Sequence, residues 1–132
     1  MKIRALQLLL LLGLLFASTC AFADGEARAK VPPGSKIFVE PFPGDQYSLQ
    51  GRVETELMKY GYTLVTKPDN ADFHAIWSYV HGATTYASFR VANSNDEVVY
   101  FDESKNPGFG TLLNKVGSTW GCIRRSMDGL KP

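Results

Sequence analysis

Cysteine and histidine are scarce in this chain, with two of each among 132 residues. His74 and His81 lie seven positions apart, so in one regular strand they face opposite sides and cannot bind the same metal ion. Cys122 is predicted to point away from both histidines, which argues against a Cys–His catalytic pair. The scattered carboxylates form no pair whose spacing demands a shared site. We therefore expect a protein that is not an enzyme and has no cofactor and no metal site.

An excess of basic residues is also missing, because lysine and arginine total 14 against 13 aspartate and glutamate residues. Loss of Lys2 and Arg4 with the amino-terminal segment described next leaves 12 basic and 13 acidic side chains, a net charge of −1. Proteins that bind a phosphate backbone carry a basic stripe or patch. The sequence contains no such stripe, and we expect no nucleic-acid partner.

An apolar run long enough to cross a membrane is missing too. The apolar block at residues 6–17 is shorter than the about 20 residues that a transmembrane helix needs. Lys2 and Arg4 precede this leucine-rich block, and an A-x-A motif at 21–23 follows it. This order is typical of a secretory signal peptide. We predict cleavage after Ala23, which leaves a periplasmic mature protein of 109 residues.

Cys20 provides an alternative to that cleavage. It ends a segment, residues 17–20, that loosely resembles a bacterial lipoprotein signal, in which the cysteine is acylated. Such a signal favours a branched apolar residue three positions before the cysteine and a very small one directly before it. This chain has Ala17 and Thr19 at those positions. The alternative location is therefore the outer membrane, and membrane anchoring depends on acylation of Cys20.

The mature chain is predicted to consist of a tether and one domain. Residues 24–35 are polar, contain two prolines and lack periodicity, which is typical of a flexible tether. Residues 36–132 are predicted to form a single domain. Once 1–23 are removed, Cys122 has no cysteine to pair with inside the chain. An exposed Cys122 in an oxidising compartment predicts a weak homodimer linked through this thiol.

Residues 36–66 contain the organising unit of the predicted fold. An apolar run at 37–42, a helical pattern at 49–60 and a β-rich run at 62–66 follow one another with few linking residues. This order is typical of a right-handed βαβ crossover with two parallel strands.

The rest of the domain is predicted to add an antiparallel meander and a last helix. Turn residues separate three β-rich runs at 73–81, 84–92 and 98–102. A spacing alternately of four and three predicts an amphipathic helix lying on the sheet. Its apolar stripe consists of Phe109, Leu113, Val116, Trp120, Ile123, Met127 and Leu130. The predicted fold class is α+β, a two-layer α/β sandwich of order β-α-β-β-β-β-α with a mixed sheet and both helices on one face. The first strand is placed centrally, between the second strand and the meander.

Several segments resemble small accessory domains of the bacterial cell envelope. They are the strand IFVEPF, a helical L-x3-V-x3-L spacing, and the segments YGYTLV and NADFHAIWSYV. The domains are those of the curli secretion lipoprotein, the amino-terminal domain of TolB and the lipoprotein activators of penicillin-binding proteins. The resemblance covers roughly residues 36–80. It implies a binding or assembly module in the cell envelope with no catalytic residues.

The sheet face without helices is the expected binding surface. Alternation in the strand at 84–92 places Phe89 in the core, and Tyr86 and Arg90 on the opposite face. An even hairpin loop around Gly82 would add the aromatic residues of the preceding strand to that face, whereas an odd loop would bury them. We expect the even loop. The predicted partner-binding patch consists of Trp77, Tyr79, His81, Tyr86 and Arg90.

Two classes of function fit these features. The first is a non-enzymatic periplasmic binding or assembly module that contacts a protein partner in the cell envelope through a sheet face or edge. The alternative is a small periplasmic inhibitor or immunity-type protein that blocks a toxin or hydrolase. Neither class needs catalytic groups, so the sequence alone does not choose between them.

Overall fold

The computed structural model describes residues 23–107 and 113–132. Its strands are β1 (Lys36–Val39), β2 (Thr63–Leu64), β3 (Phe73–Val80), β4 (Thr84–Asn93) and β5 (Val98–Pro107). Its helices are α1 (Ala23–Lys30), α2 (Gln50–Lys59) and α3 (Lys115–Ser126), with 3-10 turns at Pro68–Asn70 and Asp128–Leu130. The strands form one mixed sheet in the order β2-β1-β3-β4-β5. This confirms the predicted α+β sandwich, with β1 between β2 and the meander.

The βαβ unit at the start of the domain sets the direction of the sheet. Strand β1 runs parallel to both β2 and β3, and Ile37 lies opposite Leu64 on one side and Phe73 on the other. Helix α2 connects β1 to β2 and buries Val53 and Leu57 in the core. After the helix, the chain turns into β2 at Gly61, which has a φ of +95°. Glycine adopts a positive φ without strain because it has no Cβ.

Residues 24–35 do not form the flexible tether that their composition predicts. Most of this segment is helix α1, which packs against the carboxyl-terminal 3-10 turn and β5. Val31 is fully buried in the core, and its carbonyl accepts a hydrogen bond from the Tyr62 hydroxyl at 3.0 Å. Nη1 of Arg28 donates to the carbonyl of Leu130 at 3.3 Å. The domain therefore begins before residue 36. Apart from Ala23, the predicted signal peptide with Cys20 lies outside the described residues.

The last helix is shorter than predicted, and its buried face is rotated. Helix α3 begins at Lys115, where Oδ1 of Asn114 accepts a hydrogen bond from the Gly117 amide at 3.0 Å. Leu113, which belongs to the predicted stripe, is 78% exposed. Val116 is also exposed and Trp120 is only half-buried. The predicted stripe is therefore wrong in this half, and its first member, Phe109, lies outside the described residues.

Small and polar residues take the place of that stripe against β4 and β5. The buried residues of α3 are Thr119, Cys122, Ile123 and Ser126. The Thr119 hydroxyl donates to the carbonyl of Lys115 and the Ser126 hydroxyl donates to that of Ile123, each at 2.6 Å. Because these hydroxyls are satisfied inside the helix, their burial leaves no hydrogen bond unmade. Ile123, Met127 and Leu130 are fully buried, as the stripe predicted.

Cys122 is completely buried, so the prediction of an exposed thiol is wrong. Its Sγ lies 3.6 Å from the carbonyl oxygen of Thr85 and 3.5 Å from Oγ of Ser104. It lies on the buried side of α3, together with Thr119, Ile123 and Ser126, and therefore points towards β4 and β5. A homodimer linked through Cys122 has no structural basis in this fold.

Candidate functional site

Strands β3, β4 and β5 present one sheet face that none of the described helices covers. Nine side chains on this face stand in three cross-strand rows. The rows are Val80, Tyr86 and Lys105; Ser78, Ser88 and Glu103; and Ile76, Arg90 and Phe101. None of the nine is buried, whereas the alternating residues of β3 and β4 on the other face, from Ala75 to Val91, are. We call these nine residues the open face.

The predicted binding patch is divided between the two faces of the sheet. Tyr86, 55% exposed, and Arg90, also exposed, lie on the open face as predicted. Trp77 and Tyr79 are only 3% and 4% exposed and point into the core, so their predicted position is wrong. The reason is the hairpin register, in which Val80 pairs with Tyr86 across an odd number of loop residues. One position of slip exchanges the faces of a whole strand.

Trp77 is a structural residue on the core side of the sheet. Its indole N–H donates to the backbone carbonyl of Glu40 at 2.9 Å and to Oε1 of Gln50 at 3.1 Å. The ring of Phe42 packs edge-on against it, with 5.5 Å between ring centroids. A buried tryptophan needs a partner for its N–H, and here the loop after β1 and the start of α2 provide it.

Tyr79 and His81 pack against the segment that leads into α2. The ring of Tyr47 stacks on Tyr79, with centroids 5.9 Å apart, and the Tyr47 amide donates to the Tyr79 hydroxyl at 3.0 Å. Burial raises the pKa of Tyr79 to about 12, and the hydrogen bond to the Asp45 carboxylate acts in the same direction. The half-buried His81 has Nδ1 3.0 Å from Oγ1 of Thr85. Neither side chain is presented to a partner on the open face.

The middle row of the open face is small and polar. The hydroxyls of Ser78 and Ser88 are hydrogen-bonded to each other at 2.8 Å. Because these side chains are short, a shallow depression lies on each side of them. One has a volume of about 220 Å³ and is bordered by Val80, Tyr86 and Glu103. The other, of about 420 Å³, is bordered by residues of the loop after β1 together with Ile76 and Arg90.

The outer rows supply the apolar and charged groups of this surface. Val80, Tyr86 and Phe101 are large apolar side chains that remain more than half exposed. Lys105 stands opposite Tyr86, and Arg90 opposite Phe101. Exposed aromatic and arginine side chains around small depressions suit contact with another protein, because they bury a large area and still offer polar tips.

The sequence prediction missed the contribution of β5 to the open face. Its predicted end at Asp102 left out Glu103 and Lys105. Alternation continues through this charged segment, since Glu103 pairs with Ser88 and Lys105 with Tyr86. Charged residues rarely suggest a strand by propensity, so the period of two was the one available signal.

Residues 23–107 and 113–132 contain neither a cluster of metal ligands nor a membrane-spanning helix. No group of three or more histidine, cysteine, aspartate or glutamate residues in these ranges could hold a metal ion. No helix in the same ranges is both long and apolar enough to cross a bilayer. His74 instead has Nδ1 3.1 Å from Oε1 of Glu40.

Two solved structures of PelC from Paraburkholderia phytofirmans are similar to this chain. The dodecamer of a PelC point variant aligns with a TM-score of 0.52 and 15% identity over 76% of this chain and 90% of that one. A second PelC dodecamer aligns with a TM-score of 0.50 and 15% identity over 75% and 88% of the two chains. What they share is the fold. No protein-family model and no curated protein matches the sequence.

Proposed function

We propose that this chain is a non-enzymatic module of the bacterial cell envelope that binds a protein partner through the open face. The observation that carries the proposal is the contrast between the two sides of one sheet. The core side buries every alternating residue of β3 and β4 from Ala75 to Val91, while the open face leaves Val80 and Tyr86 exposed in one outer row and Phe101 exposed opposite Arg90 in the other. Apolar groups that stay exposed together on one surface usually mark a contact site.

The solved structures of PelC support the proposal in a different way. PelC forms a dodecamer, so in that protein the same fold carries contacts between protein chains. The predicted signal peptide and the resemblance to envelope accessory domains favour a location outside the cytoplasm. We propose the periplasm, after cleavage behind Ala23, with the outer membrane as the alternative if Cys20 is acylated.

Site-specific photocross-linking in cells tests the proposed function. A photoreactive amino acid is placed at Tyr86 and, in a matched control, at Met58 on the outer side of α2, which is 53% exposed against 55% for Tyr86. We expect one discrete adduct with another envelope protein from position 86 and none from 58. Absence of an adduct at 86, or the same adducts at both positions, contradicts the proposal. A single secreted hydrolase or toxin in the adduct would assign the chain to the inhibitor class.

A further inference from the structure

Strand β5 forms one edge of the sheet and carries two opposite charges on the same face. Glu103 and Lys105 both belong to the open face, because they pair with Ser88 and Tyr86 of β4. Both side chains are exposed. None of the ion pairs found among the described residues involves either of them. Because both side chains are exposed, they can contact groups outside the chain.

We propose that β5 pairs antiparallel with β5 of a second copy of this chain, in a register centred on Ser104. A two-fold axis perpendicular to the sheet relates such strands, so each side chain meets one from the same face. Glu103 then lies opposite Lys105 of the second copy, and the symmetry repeats the contact. The register also places Asp102 opposite Asn106. Opposite charges directly across two strands stabilise their pairing.

Neighbouring registers lack this match. A register centred on Glu103 would place two glutamates opposite each other, and one centred on Lys105 would do the same with two lysines. Like charges directly across a strand pair are destabilising. A register centred between two residues would place the open face of one copy and the helix-covered face of the other on the same side of the joined sheet. Among these registers, only the one centred on Ser104 pairs opposite charges twice.

Charges on an edge strand commonly prevent uncontrolled pairing with other chains. Glu103 and Lys105 differ from a single-sign edge because their order makes the strand complementary to itself. Pairing would join two sheets into one of ten strands, since each copy contributes five. Both open faces would then lie on the same side. This last consequence, a surface that binds its partner in two places, rests on the proposed function, whereas the pairing itself does not.

Charge reversal with rescue tests the pairing. The mature chain and three variants, Glu103→Lys, Lys105→Glu and the double exchange, are studied by sedimentation from micromolar to near-millimolar concentration. Each single reversal replaces two attractive contacts with two repulsive ones, and we expect the dissociation constant to rise at least about tenfold. The double exchange restores complementarity, and we expect it to return within about threefold of the wild type. Added salt should weaken the wild-type dimer.

Matched controls separate a local effect from one of net charge. Asp69→Lys and Lys67→Glu make the same charge changes in the exposed turn after β2, away from β5, and should leave the dissociation constant unchanged. The proposal is overturned by a wild-type chain that stays monomeric, by single reversals without effect, or by a double exchange as weak as the singles. Cross-linking at position 86 uses no substitution in β5, and sedimentation of the purified chain needs no partner, so each proposal can fail without the other.

Discussion

The hydroxyl of Tyr79 donates a hydrogen bond to Oδ1 of Asp45 at 2.8 Å. The same carboxylate accepts the backbone N–H groups of Leu49, at 2.8 Å, and Gln50, at 3.0 Å. One acidic side chain thus joins the middle of the sheet to the first turn of α2. The hairpin register places Tyr79 in the core, and Asp45 supplies the partner that its buried hydroxyl needs.

Asp45→Ala is expected to lower the free energy of unfolding by about 1–3 kcal/mol. The substitution removes the acceptor of the Leu49 and Gln50 N–H groups at the start of α2 and leaves the buried Tyr79 hydroxyl without its acceptor. Urea denaturation measures the change. Tyr86→Phe serves as the control, because Tyr86 is exposed, and should stay within about 0.5 kcal/mol of the wild type. An Asp45→Ala variant as stable as this control would show that the carboxylate does not hold α2 to the sheet.

The two tryptophans should differ sharply under substitution. Trp77→Ala empties a buried site and should cost about 3–5 kcal/mol of stability. Trp120→Ala should cost clearly less, since Trp120 is half-buried on α3. In a Trp120→Phe variant, the remaining Trp77 should emit at short wavelength and resist quenching by iodide. Easily quenched, red-shifted emission would place Trp77 on the surface and contradict the register of β3.

Alkaline pH is expected to destabilise the protein through its buried tyrosines. Burial raises the pKa values of Tyr60, Tyr62, Tyr79 and Tyr100, those of Tyr79 and Tyr100 to about 12 from an ordinary value of 10.0. A raised pKa in the folded state means that the protonated form is favoured there. The resulting stability is complete below pH 10 and is lost as the pH rises towards 12.

Tyrosinate absorbance measured across this range should show buried tyrosines that ionise at higher pH in the folded than in the urea-unfolded protein. Urea denaturation at several pH values should show the free energy of unfolding falling over the same interval. Folded and unfolded proteins with identical titration curves would contradict the burial of these side chains.

The intact mass of the exported protein tests the predicted processing. Cleavage after Ala23 gives a chain that begins at Asp24 and carries no lipid. Acylation would instead give a heavier product that begins at Cys20. A Cys20→Ser variant is the control, since it blocks acylation and should leave the mass of the cleaved form unchanged. A lipidated product would replace the periplasmic location with the outer membrane.

The βαβ unit and the strand order were predictable because chain connectivity restricts them strongly. A strand, a helix and a second strand that follow one another in the chain, as β1, α2 and β2 do, almost always form a right-handed crossover with parallel strands. The turn-rich links after residue 80 and after Asn93 then predict a meander. Such features depend on composition and segment length, and both are visible in the sequence.

The register of β3 against β4 could not be predicted from connectivity. Its side chains alternate between two sets that both contain apolar residues, so only the loop could assign the faces. The loop places an odd number of residues between Val80 and Tyr86, contrary to the commoner even hairpin. The buried face of α3 was predicted wrongly for another reason. Thr119 and Ser126 are buried, and their hydroxyls form hydrogen bonds inside the helix. Their polarity alone therefore predicted exposed positions for two residues that are buried.

The binding affinity of the protein that cross-links at position 86 tests the role of the open face most directly. The purified partner is titrated with the wild type, with Tyr86→Ala/Arg90→Ala, and with the control Arg52→Ala/Met58→Ala on the exposed side of α2. We expect the first double variant to bind at least about tenfold more weakly with an unchanged melting temperature, and the control to bind like the wild type. Equal binding by both double variants would contradict the assignment of the open face as the partner site.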